Sequence, residues 1–244
     1  MNIVTNEMFS IREKYEVEEK FIGEEKSKIC IVHNVLQYPD DVYKFITQHP
    51  IELNKTYDED FNYAGPSAQH NTPGYVADIR LEIRPFRRLL NWMTSQHFKD
   101  RTFFNNIGIR INAFTSGTTA LKRACYPHTD SLRSSYSGTL YLDKKNLGGT
   151  SFYRFKNGLE KKPSDRLYDE KFQEFQRWDE HWSHLQKCEY DPIDNDENWT
   201  MYHIEPMEWN KIVFYEANLF HNAFVKPDMY KNEFRTSINL FSGY

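Results

Sequence analysis

Six short segments with a two-residue apolar period occupy the second half of this chain, and they restrict its fold more than any other feature. Each is rich in β-branched and aromatic residues and is bounded by turn-forming residues, which is typical of β-strands. Short, closely spaced strands of this kind predict an antiparallel sandwich or barrel. The segments are "NIGIRINAF" (residues 106–114), "GTLYLD", "GGTSFYRF", "MYHIEP", "KIVFYEA" and "RTSINLF".

Three other segments have a helical period. The first, "YPDDVYKFITQHP", places Pro39 near a helix start and Pro50 just past its end. The second, "IRPFRRLLNWMTSQHF", carries the apolar stripe of an amphipathic helix at Phe86, Leu89, Leu90 and Met93. The third lies in an insertion, residues 157–200, where "SDRLYDEKFQEFQRWDEHWSHLQK" spaces aromatic residues by three and four. We expect this helix to lie over the sheet.

The length of 244 residues, 39% of them hydrophobic, suits one large domain with a substantial core. We therefore predict a single domain over 1–244, in which residues 1–105 are supporting helices and strands and 106–244 form the β core. Residues 54–78 are rich in Asn, Gly, Pro and Asp and have no period, which predicts a long loop. Long loops in compact domains are often functional.

Charge and cysteine content narrow the functional classes. The chain has 31 basic and 35 acidic residues and a formal charge of −4, so binding of nucleic acid is disfavoured. Cys30, Cys125 and Cys188 are few and widely separated, as in a reducing compartment. The N-terminal segment has acids where a signal peptide has its apolar core, and no apolar stretch approaches 18 residues. We expect a cytoplasmic protein that does not bind membranes.

A candidate metal site is spread over several of the strand-like segments. His128 and Asp130 are two positions apart, so in a strand both side chains would point to one face. An H-x-D triplet occurs by chance in roughly every second chain of this composition, so a third ligand is needed. His221 follows a buried strand 93 residues later and is the best candidate. Two histidines and a carboxylate form the facial triad of non-haem iron(II) oxygenases, which leaves three coordination positions open.

A second pair of residues suits a carboxylate ligand. Arg235 and Ser237 begin a strand 14 residues after His221 and share one face by the same alternation. The arginine fork offers parallel donors and keeps its charge when buried.

In this order and spacing, the sequence resembles the 2-oxoglutarate and iron(II)-dependent dioxygenases, and most of all their prolyl 4-hydroxylase-like branch. The resemblance runs from about residue 109 to 241. The stretches that carry it are "YPHTD", "LYLDKKNLGGTSFY", "IEPMEWNKIVFYEANLFHNAFV" and "FRTSINLF". It implies a mainly β fold, a double-stranded β-helix or jelly-roll core with flanking helices.

The resemblance also implies a chemistry and its residues. Iron(II) would be held by His128, Asp130 and His221, and Arg235 and Ser237 would bind the distal carboxylate of the cosubstrate 2-oxoglutarate. With O2, such an enzyme hydroxylates an unactivated C–H bond and releases succinate and carbon dioxide. We expect a small amino-acid-like or peptidyl substrate. Halogenating relatives replace the carboxylate ligand with a small residue, so the presence of Asp130 favours oxygenation.

One position departs from the family pattern. Prolyl hydroxylases often place a tyrosine for the distal carboxylate on the strand after the aspartate. The nearest alignment puts Leu140 there, with Tyr141 facing the opposite way.

Two alternatives remain open from the sequence alone. Zinc also accepts two histidines and a carboxylate, so a cupin-like hydrolase or isomerase is one of them. A non-catalytic jelly-roll binding module with structural histidines is the other. Arg110, Asn112 and Arg133 are candidate contacts for the prime substrate, and the loop at 54–78 and the insertion at 157–200 are candidate covers of the site.

Overall fold

The computed structural model describes residues 6–48, 84–105, 107–114, 127–130, 134–163, 169–185, 197–225, 229–230 and 235–242. The loop predicted at 54–78 lies outside these residues. Within them, no helix is long and apolar enough to cross a membrane.

The described elements agree closely with the predicted periodicities. All three predicted helices are present, and the six predicted strands appear as β3 to β7 and β9. The helices are α1 (Pro39–Gln48), α2 (Arg84–Gln96) and α3 (Glu170–Leu185), and a short 3-10 helix spans Asn6–Phe9. The strands are β1 (Val17–Ile22), β2 (Ser27–Val32), β3 (Ile107–Phe114), β4 (Tyr136–Tyr141), β5 (Gly149–Phe155), β6 (Trp199–Pro206), β7 (Lys211–Glu216), β8 (His221–Phe224) and β9 (Arg235–Ser242).

The strands form two sheets, which confirms the predicted jelly-roll class. The large sheet has the order β1-β2-β7-β4-β9-β3, and the small sheet has the order β6-β5-β8. Every pairing between these strands is antiparallel. Neighbours in each sheet come from distant parts of the chain, so residues far apart in sequence meet across the fold.

Helices α1 and α2 cover one face of the large sheet and form what we call the outer core. As predicted, the stripe of α2 is buried. It packs with Val42 and Ile46 of α1 and with Leu140 and Leu240 of the sheet. Burying aliphatic and aromatic side chains here supplies the main driving force for folding, at about 25 cal/mol per Å² of apolar surface.

The other face of the large sheet looks toward the small sheet across what we call the inner space. Tyr141, Val213 and Tyr215 of the large sheet pack there with Phe152 of the small sheet. This space also holds buried polar and charged side chains: Glu205, Lys211, Arg235 and Ser237. Charged side chains are almost never fully buried unless they are paired, so their presence marks the inner space as different in kind from the outer core.

Ion pairs join the two sheets at one side of the inner space. Glu205 on β6 lies 2.6 Å from Lys211 on β7 and 3.1 Å from Lys20 on β1. His203 lies 3.5 Å from the same carboxylate. The Glu205 side chain has no exposed surface. Its negative charge therefore depends on these three partners.

The insertion helix α3 packs on the small sheet through aromatic side chains, as predicted. Phe175 lies 4.8 Å from Phe220, and Trp178 lies 4.9 Å from Phe155, measured between ring centroids. These residues form a cluster separate from the inner space, on the opposite face of the small sheet. The described contacts of α3 are therefore those of a structural cover, and its proposed closure over the site stays a prediction.

Candidate metal centre

The fold brings the three predicted ligands together through the backbone. His128 and His221 form an isolated antiparallel bridge, in which each backbone N–H donates to the other's carbonyl oxygen at 2.9 Å. The N–H of Asp130 donates to the carbonyl oxygen of Ala217 at 2.8 Å. The relative positions of the ligands are therefore set by main-chain hydrogen bonds rather than by side-chain packing alone.

The side-chain distances suit a single ion. Asp130 Oδ2 lies 3.4 Å from His221 Nε2, and Asp130 Oδ1 lies 3.9 Å from His128 Nε2. One nitrogen or oxygen atom from each residue lies within 4.8 Å of those of the other two. An ion about 2.0–2.2 Å from each atom allows ligand separations of up to about 4.4 Å, and both distances from Asp130 fall within that limit.

The protonation states also suit metal binding. His221 Nδ1 lies 2.9 Å from the carbonyl oxygen of Leu219. A carbonyl oxygen only accepts hydrogen bonds, so Nδ1 carries a proton, and Nε2 is the nitrogen that faces Asp130 and that a metal would take. A backbone partner of this kind is the usual way in which a ligating histidine is oriented.

Asp130 is held as a carboxylate. Burial alone would raise its pKa, but when no metal is bound the positive charges of protonated His221 and His128 and hydrogen bonds from His221 and Ser137 outweigh that effect. A metal ion would replace the proton on His221 Nε2 and would favour the carboxylate in the same way. The net result is a pKa well below the ordinary value of an aspartate. Ser137 Oγ donates to Asp130 Oδ2 at 2.8 Å. Asp130 therefore offers a charged oxygen to an ion over the whole physiological pH range.

The centre is closed on one side and open on the other. The His221 ring packs against the rings of Tyr215 and Phe152, with distances between ring centroids of 4.7 Å and 6.5 Å. The exposed side-chain fraction rises from 6% for His221 to 19% for Asp130 and 46% for His128. Small molecules therefore have access from the side of His128, whereas the His221 side faces the inner space.

A second group of three potential ligands, Glu19, Cys30 and His97, has a different character. The ammonium of Lys28 lies 2.9 Å from Glu19 and donates to the carbonyl oxygen of His97 at 2.8 Å. Burial raises the pKa of the Cys30 thiol to about 12. A cation already neutralises the carboxylate and the thiol is protonated, so we interpret this group as an ion-pair cluster.

Arg235 and Ser237 lie deep in the inner space, on the strand predicted for them. Arg235 is 2% exposed, and its Nη2 donates to the carbonyl oxygen of Gly149 at 3.2 Å. Its guanidinium carbon lies 5.9 Å from the centre of the Tyr141 ring. The Ser237 hydroxyl is buried and has no hydrogen-bond partner among the described residues. A buried hydroxyl of this kind is where a polar ligand group would be stabilised.

The prediction that Leu140 occupies the family's tyrosine position, with Tyr141 facing away, is wrong. Leu140 packs in the outer core, whereas Tyr141 lies in the inner space. Tyr141 is the register partner of Ser237, and its hydroxyl lies 2.6 Å from Thr150 Oγ1. The Tyr141 ring therefore lies beside Arg235 on the inner face of the sheet.

Comparison with known proteins adds a family. The sequence matches the profile of DUF6445, a family of unknown function, over residues 13–237. The chain belongs to the DUF6445 family. No curated protein matches its sequence.

Solved structures with a partial likeness to this DUF6445 protein include dioxygenases. A prolyl-4-hydroxylase from Pseudomonas putida has a TM-score of 0.40 and 10% identity, covering 94% of this chain and 92% of its own. An N-substituted L-amino acid dioxygenase from Burkholderia ambifaria AMMD has a TM-score of 0.33 and 8% identity, covering 93% and 94%. IDO from Bacillus thuringiensis has a TM-score of 0.34 and 10% identity, covering 70% and 60%. The site of the DUF6445 protein is therefore interpreted from its own geometry.

For the predicted substrate contacts of the DUF6445 protein, the structure gives the strand register of two residues. The register of β3 and β9 pairs Arg110 with Asn239 and Asn112 with Ser237. The side chains of Arg110 and Asn112, and the whole of Arg133, lie outside the described residues. Their proposed role in binding the prime substrate stays a prediction.

Several residues of the site were not identified from the sequence. Ser137, Thr139 and Tyr141 alternate along β4 and share the inner face, and Tyr215 lies opposite Ser137 on β7. The sequence did indicate that Ser137 and Tyr141 share a face, because they are an even number of residues apart in a strand. It did not indicate which face of β4 is the inner one, because both faces are buried.

Proposed function

We propose that this protein is an iron(II) and 2-oxoglutarate-dependent oxygenase that hydroxylates an unactivated C–H bond of a small amino-acid-like or peptidyl substrate. The products would be the hydroxylated substrate, succinate and carbon dioxide. One observation carries the proposal: a His-Asp-His group at one end of the inner space and a buried arginine farther along the same space. A metal centre alone is common to many functions, and the arginine is what suits a dicarboxylate.

The donor set supports iron(II) as the metal. Two imidazole nitrogens and one carboxylate oxygen form the donor set of a facial triad, with the proton of His221 on Nδ1, away from the ion, and Asp130 ionised. When bound, iron(II) would supply the activation of O2. His128, Asp130 and His221 would occupy one face of the ion, which leaves the other face to the 2-oxo acid and O2.

The inner space supports 2-oxoglutarate as the cosubstrate. Ser137, which hydrogen-bonds the metal ligand Asp130, and Tyr141, which lies beside Arg235, are four residues apart on the same face of β4. At roughly 3.3 Å per residue this separation is about 13 Å. This separation is comparable to the combined length of a five-carbon diacid and the arginine side chain that would bind it.

The charges of the inner space also favour a dianion. Lys211 is paired with Glu205 within the protein, and Arg235 adds a buried positive charge on the same face of the large sheet. Arg235 would form the fork with the distal carboxylate, and the hydroxyls of Ser237 and Tyr141 would donate to the same group. Because this end of the space is buried, water competes weakly for those donors.

The protein must also admit the prime substrate to the metal centre and exclude water from it. The prime substrate would approach from the side of His128, the most exposed ligand, while the 2-oxo acid occupies the buried side. Tyr215 and Phe152 would shield the His221 side from water.

An anaerobic titration tests the proposal. Iron(II) is added to the metal-free protein, followed by 2-oxoglutarate, and the visible absorption of the chelate is recorded. We expect a visible band that saturates with 2-oxoglutarate, and succinate after O2 is admitted. A protein that binds zinc and gives no band with iron(II) and 2-oxoglutarate would instead be a hydrolase or isomerase. A protein that binds neither metal would be a non-catalytic module.

A further inference from the structure

The surface of α2 and of the segment that follows it, residues 97–105, is more basic than the rest of the protein. Residues 84–105 include five basic residues and one acid, a net charge of +4, whereas the whole chain carries −4. Arg88 and Arg101 are exposed, and neither forms an ion pair with another described residue. Positive charge that is concentrated on one part of an acidic protein favours a negatively charged partner at that surface.

Two exposed aromatic residues border these charges. Trp92 is 38% exposed and Phe103 is 65% exposed. At roughly 100° per residue, Arg88 lies on the α2 surface between Trp92 and Asn91. Asn91 hydrogen-bonds the backbone N–H and the carbonyl oxygen of Phe104 at 2.7 Å and 3.0 Å, which holds the adjoining Phe103 beside α2. Arginine and aromatic side chains are enriched in protein interfaces. We call four residues the basic face: Arg88, Trp92, Arg101 and Phe103.

The start of β4 joins the basic face to the metal centre. The Tyr136 hydroxyl donates to the carboxylate of Asp100, the neighbour of Arg101, at 3.1 Å. The residue after Tyr136 is Ser137, whose hydroxyl donates to Asp130. Two side-chain hydrogen bonds therefore connect the face to a proposed metal ligand. An extended polypeptide covers roughly 3.3 Å per residue, so a short one is long enough to contact both places.

Resting on the proposed function, we propose that the prime substrate is a polypeptide, and that an acidic segment of it docks on the basic face while another part enters the metal centre. The carboxylates of that segment pair with Arg88 and Arg101, and its apolar side chains cover Trp92 and Phe103. The charge outside residues 84–105 is −8, which would repel a long polyanion or an anionic membrane beyond the face. A short acidic segment contacts the face alone.

Docking is measured without iron(II) or 2-oxoglutarate, so that it is independent of the proposed reaction. The probe is a fluorescein-labelled, glutamate-rich peptide that contains phenylalanine, and its fluorescence anisotropy is recorded as the protein is added. The comparison ligands are the same peptide with glutamine in place of glutamate, a labelled single-stranded DNA and phosphatidylserine vesicles. The variants are Arg88→Glu, Arg101→Glu and Phe103→Ser. Arg177→Glu is the matched control, because it makes the same charge change at an exposed position of α3.

We expect the glutamate-rich peptide to bind wild type and the glutamine peptide to bind much more weakly. Arg88→Glu and Arg101→Glu should each weaken docking about threefold to tenfold, because each removes an exposed ion pair and adds a repulsion. Phe103→Ser should also weaken it, through lost apolar contact, and Arg177→Glu should match wild type. The affinity should fall as salt is added, since the pairs are exposed.

A second measurement links docking to the reaction. Peptides with glutamate-rich flanks and varied central residues are incubated with iron(II), 2-oxoglutarate and O2, and the gain of one oxygen atom is detected by mass spectrometry. We expect oxidised peptides with wild type. For such a peptide, Arg88→Glu should raise KM about threefold to tenfold and leave kcat unchanged, because the residue acts away from the metal. Its affinities for iron(II) and 2-oxoglutarate should equal those of wild type.

Other outcomes overturn the proposal. Equal affinities for the glutamate and glutamine peptides would remove the basic face from acidic recognition, and so would a loss in Arg177→Glu as large as that in Arg88→Glu. Tighter binding of DNA or vesicles would assign the face to that class of partner. Oxidation of free amino acids but of no glutamate-flanked peptide would separate the face from the reaction. If the peptide docks but wild type forms no chelate with iron(II) and 2-oxoglutarate, the proposed function fails, which is a separate result. Arg88→Gln carries the test if thermal melting shows that Arg88→Glu is unfolded.

Discussion

The two faces of the large sheet differ in chemistry although both are buried. The outer core is aliphatic and aromatic, with Leu89, Leu90 and Met93 of α2 packed on Leu140 and Leu240. The inner space contains an arginine, a lysine, a glutamate and several hydroxyls among its aromatic rings. Apolar burial stabilises a fold, whereas buried polar groups cost stability unless they are satisfied. The outer core therefore stabilises the fold, and the inner space is where we propose that ligands bind.

Neighbouring residues of one strand show the difference most directly. Leu140 and Tyr141 are both fully buried, yet they point to opposite faces of β4. A substitution at one should act on stability and a substitution at the other on ligand binding. The predictions below test this division, from the largest expected effect to the smallest.

Loss of a metal ligand should abolish function without unfolding the protein. We expect His128→Ala, Asp130→Ala and His221→Ala each to lose measurable iron(II) binding and turnover, because the outer core is untouched. Metal content, turnover and thermal melting are measured together, with His33→Ala as the control histidine, beside Glu208 at the surface. A variant that retains metal and full turnover would show that its residue is not a ligand.

Removing the Arg235 side chain should weaken the binding of 2-oxoglutarate and leave the binding of iron(II) unchanged. Truncating one partner of a buried charge pair costs roughly 2–5 kcal/mol, so Arg235→Ala should raise the apparent 2-oxoglutarate requirement about 30-fold or more. Arg235→Lys should recover part of the loss, because the charge survives without the fork. Anaerobic binding is the measurement, and iron(II) affinity should be unchanged. Equal 2-oxoglutarate affinities in all three proteins would contradict the assignment.

The pair on β4 compares the two faces within one strand. Leu140→Ala should lower the free energy of unfolding by about 2–5 kcal/mol, because it leaves a cavity in the outer core. Its folded fraction should bind 2-oxoglutarate as wild type does. Tyr141→Phe should lose about 1 kcal/mol of stability with its bond to Thr150 and should weaken 2-oxoglutarate several-fold. Urea unfolding and anaerobic titration give both quantities, and a reversed pattern would refute the division.

Ser137 should raise the metal affinity of the centre through its hydrogen bond to Asp130. Its hydroxyl donates to the carboxylate of Asp130, the proposed ligand, and loss of a hydrogen bond to a metal ligand typically lowers metal affinity about 10–100-fold. We expect this result for Ser137→Ala in a competition assay with a chelator. Ser27→Ala, which removes a buried serine on β2, should leave the affinity unchanged. An unchanged metal affinity in Ser137→Ala would show that the hydrogen bond contributes to the structure and not to metal binding.

The ion pairs between the sheets should make stability depend on acid pH. Burial opposes the charge of Glu205, but hydrogen bonds from His203, Lys211 and Lys20 lower its pKa from 4.5 to about 2. The stability from this shift is fully present above pH 4.5 and is lost as pH falls toward 2. At about pH 3 the loss should be roughly 2 kcal/mol. Urea unfolding from pH 6 to pH 3 should show this slope in wild type and a smaller one in Glu205→Gln.

The strands of the second half were predictable because their alternation is strong. Strands β1 and β2 were not identified, for opposite physical reasons. β1 is an edge strand with mostly exposed or half-buried residues, and β2 is buried on both faces, so neither shows a clean two-residue period. β8 has four residues, which is too short for a periodic signal.

The limits of the site prediction have a similar origin. The metal group and Arg235 could be selected because an H-x-D, a distant histidine and an R-x-S occur together in one order beside strand-like segments. The face of Tyr141 was predicted wrongly because every residue of β4 is buried. Only the cross-strand register, which joins residues about 100 positions apart, shows which side is the inner space. Sequence alternation contains no information of that range.

The bridge between His128 and His221 has a consequence for the order of folding. Its two hydrogen bonds close a loop of 93 residues. Closing a long loop costs chain entropy, and this cost must be met before the contacts across the loop can stabilise it. We therefore expect the centre to be assembled late, together with the other long-range strand pairings. The backbone amides of these two histidines should report on this step, because their hydrogen exchange slows only when the whole loop is closed. Metal binding by this chain would then be a property of the completed fold, absent from any partly folded intermediate.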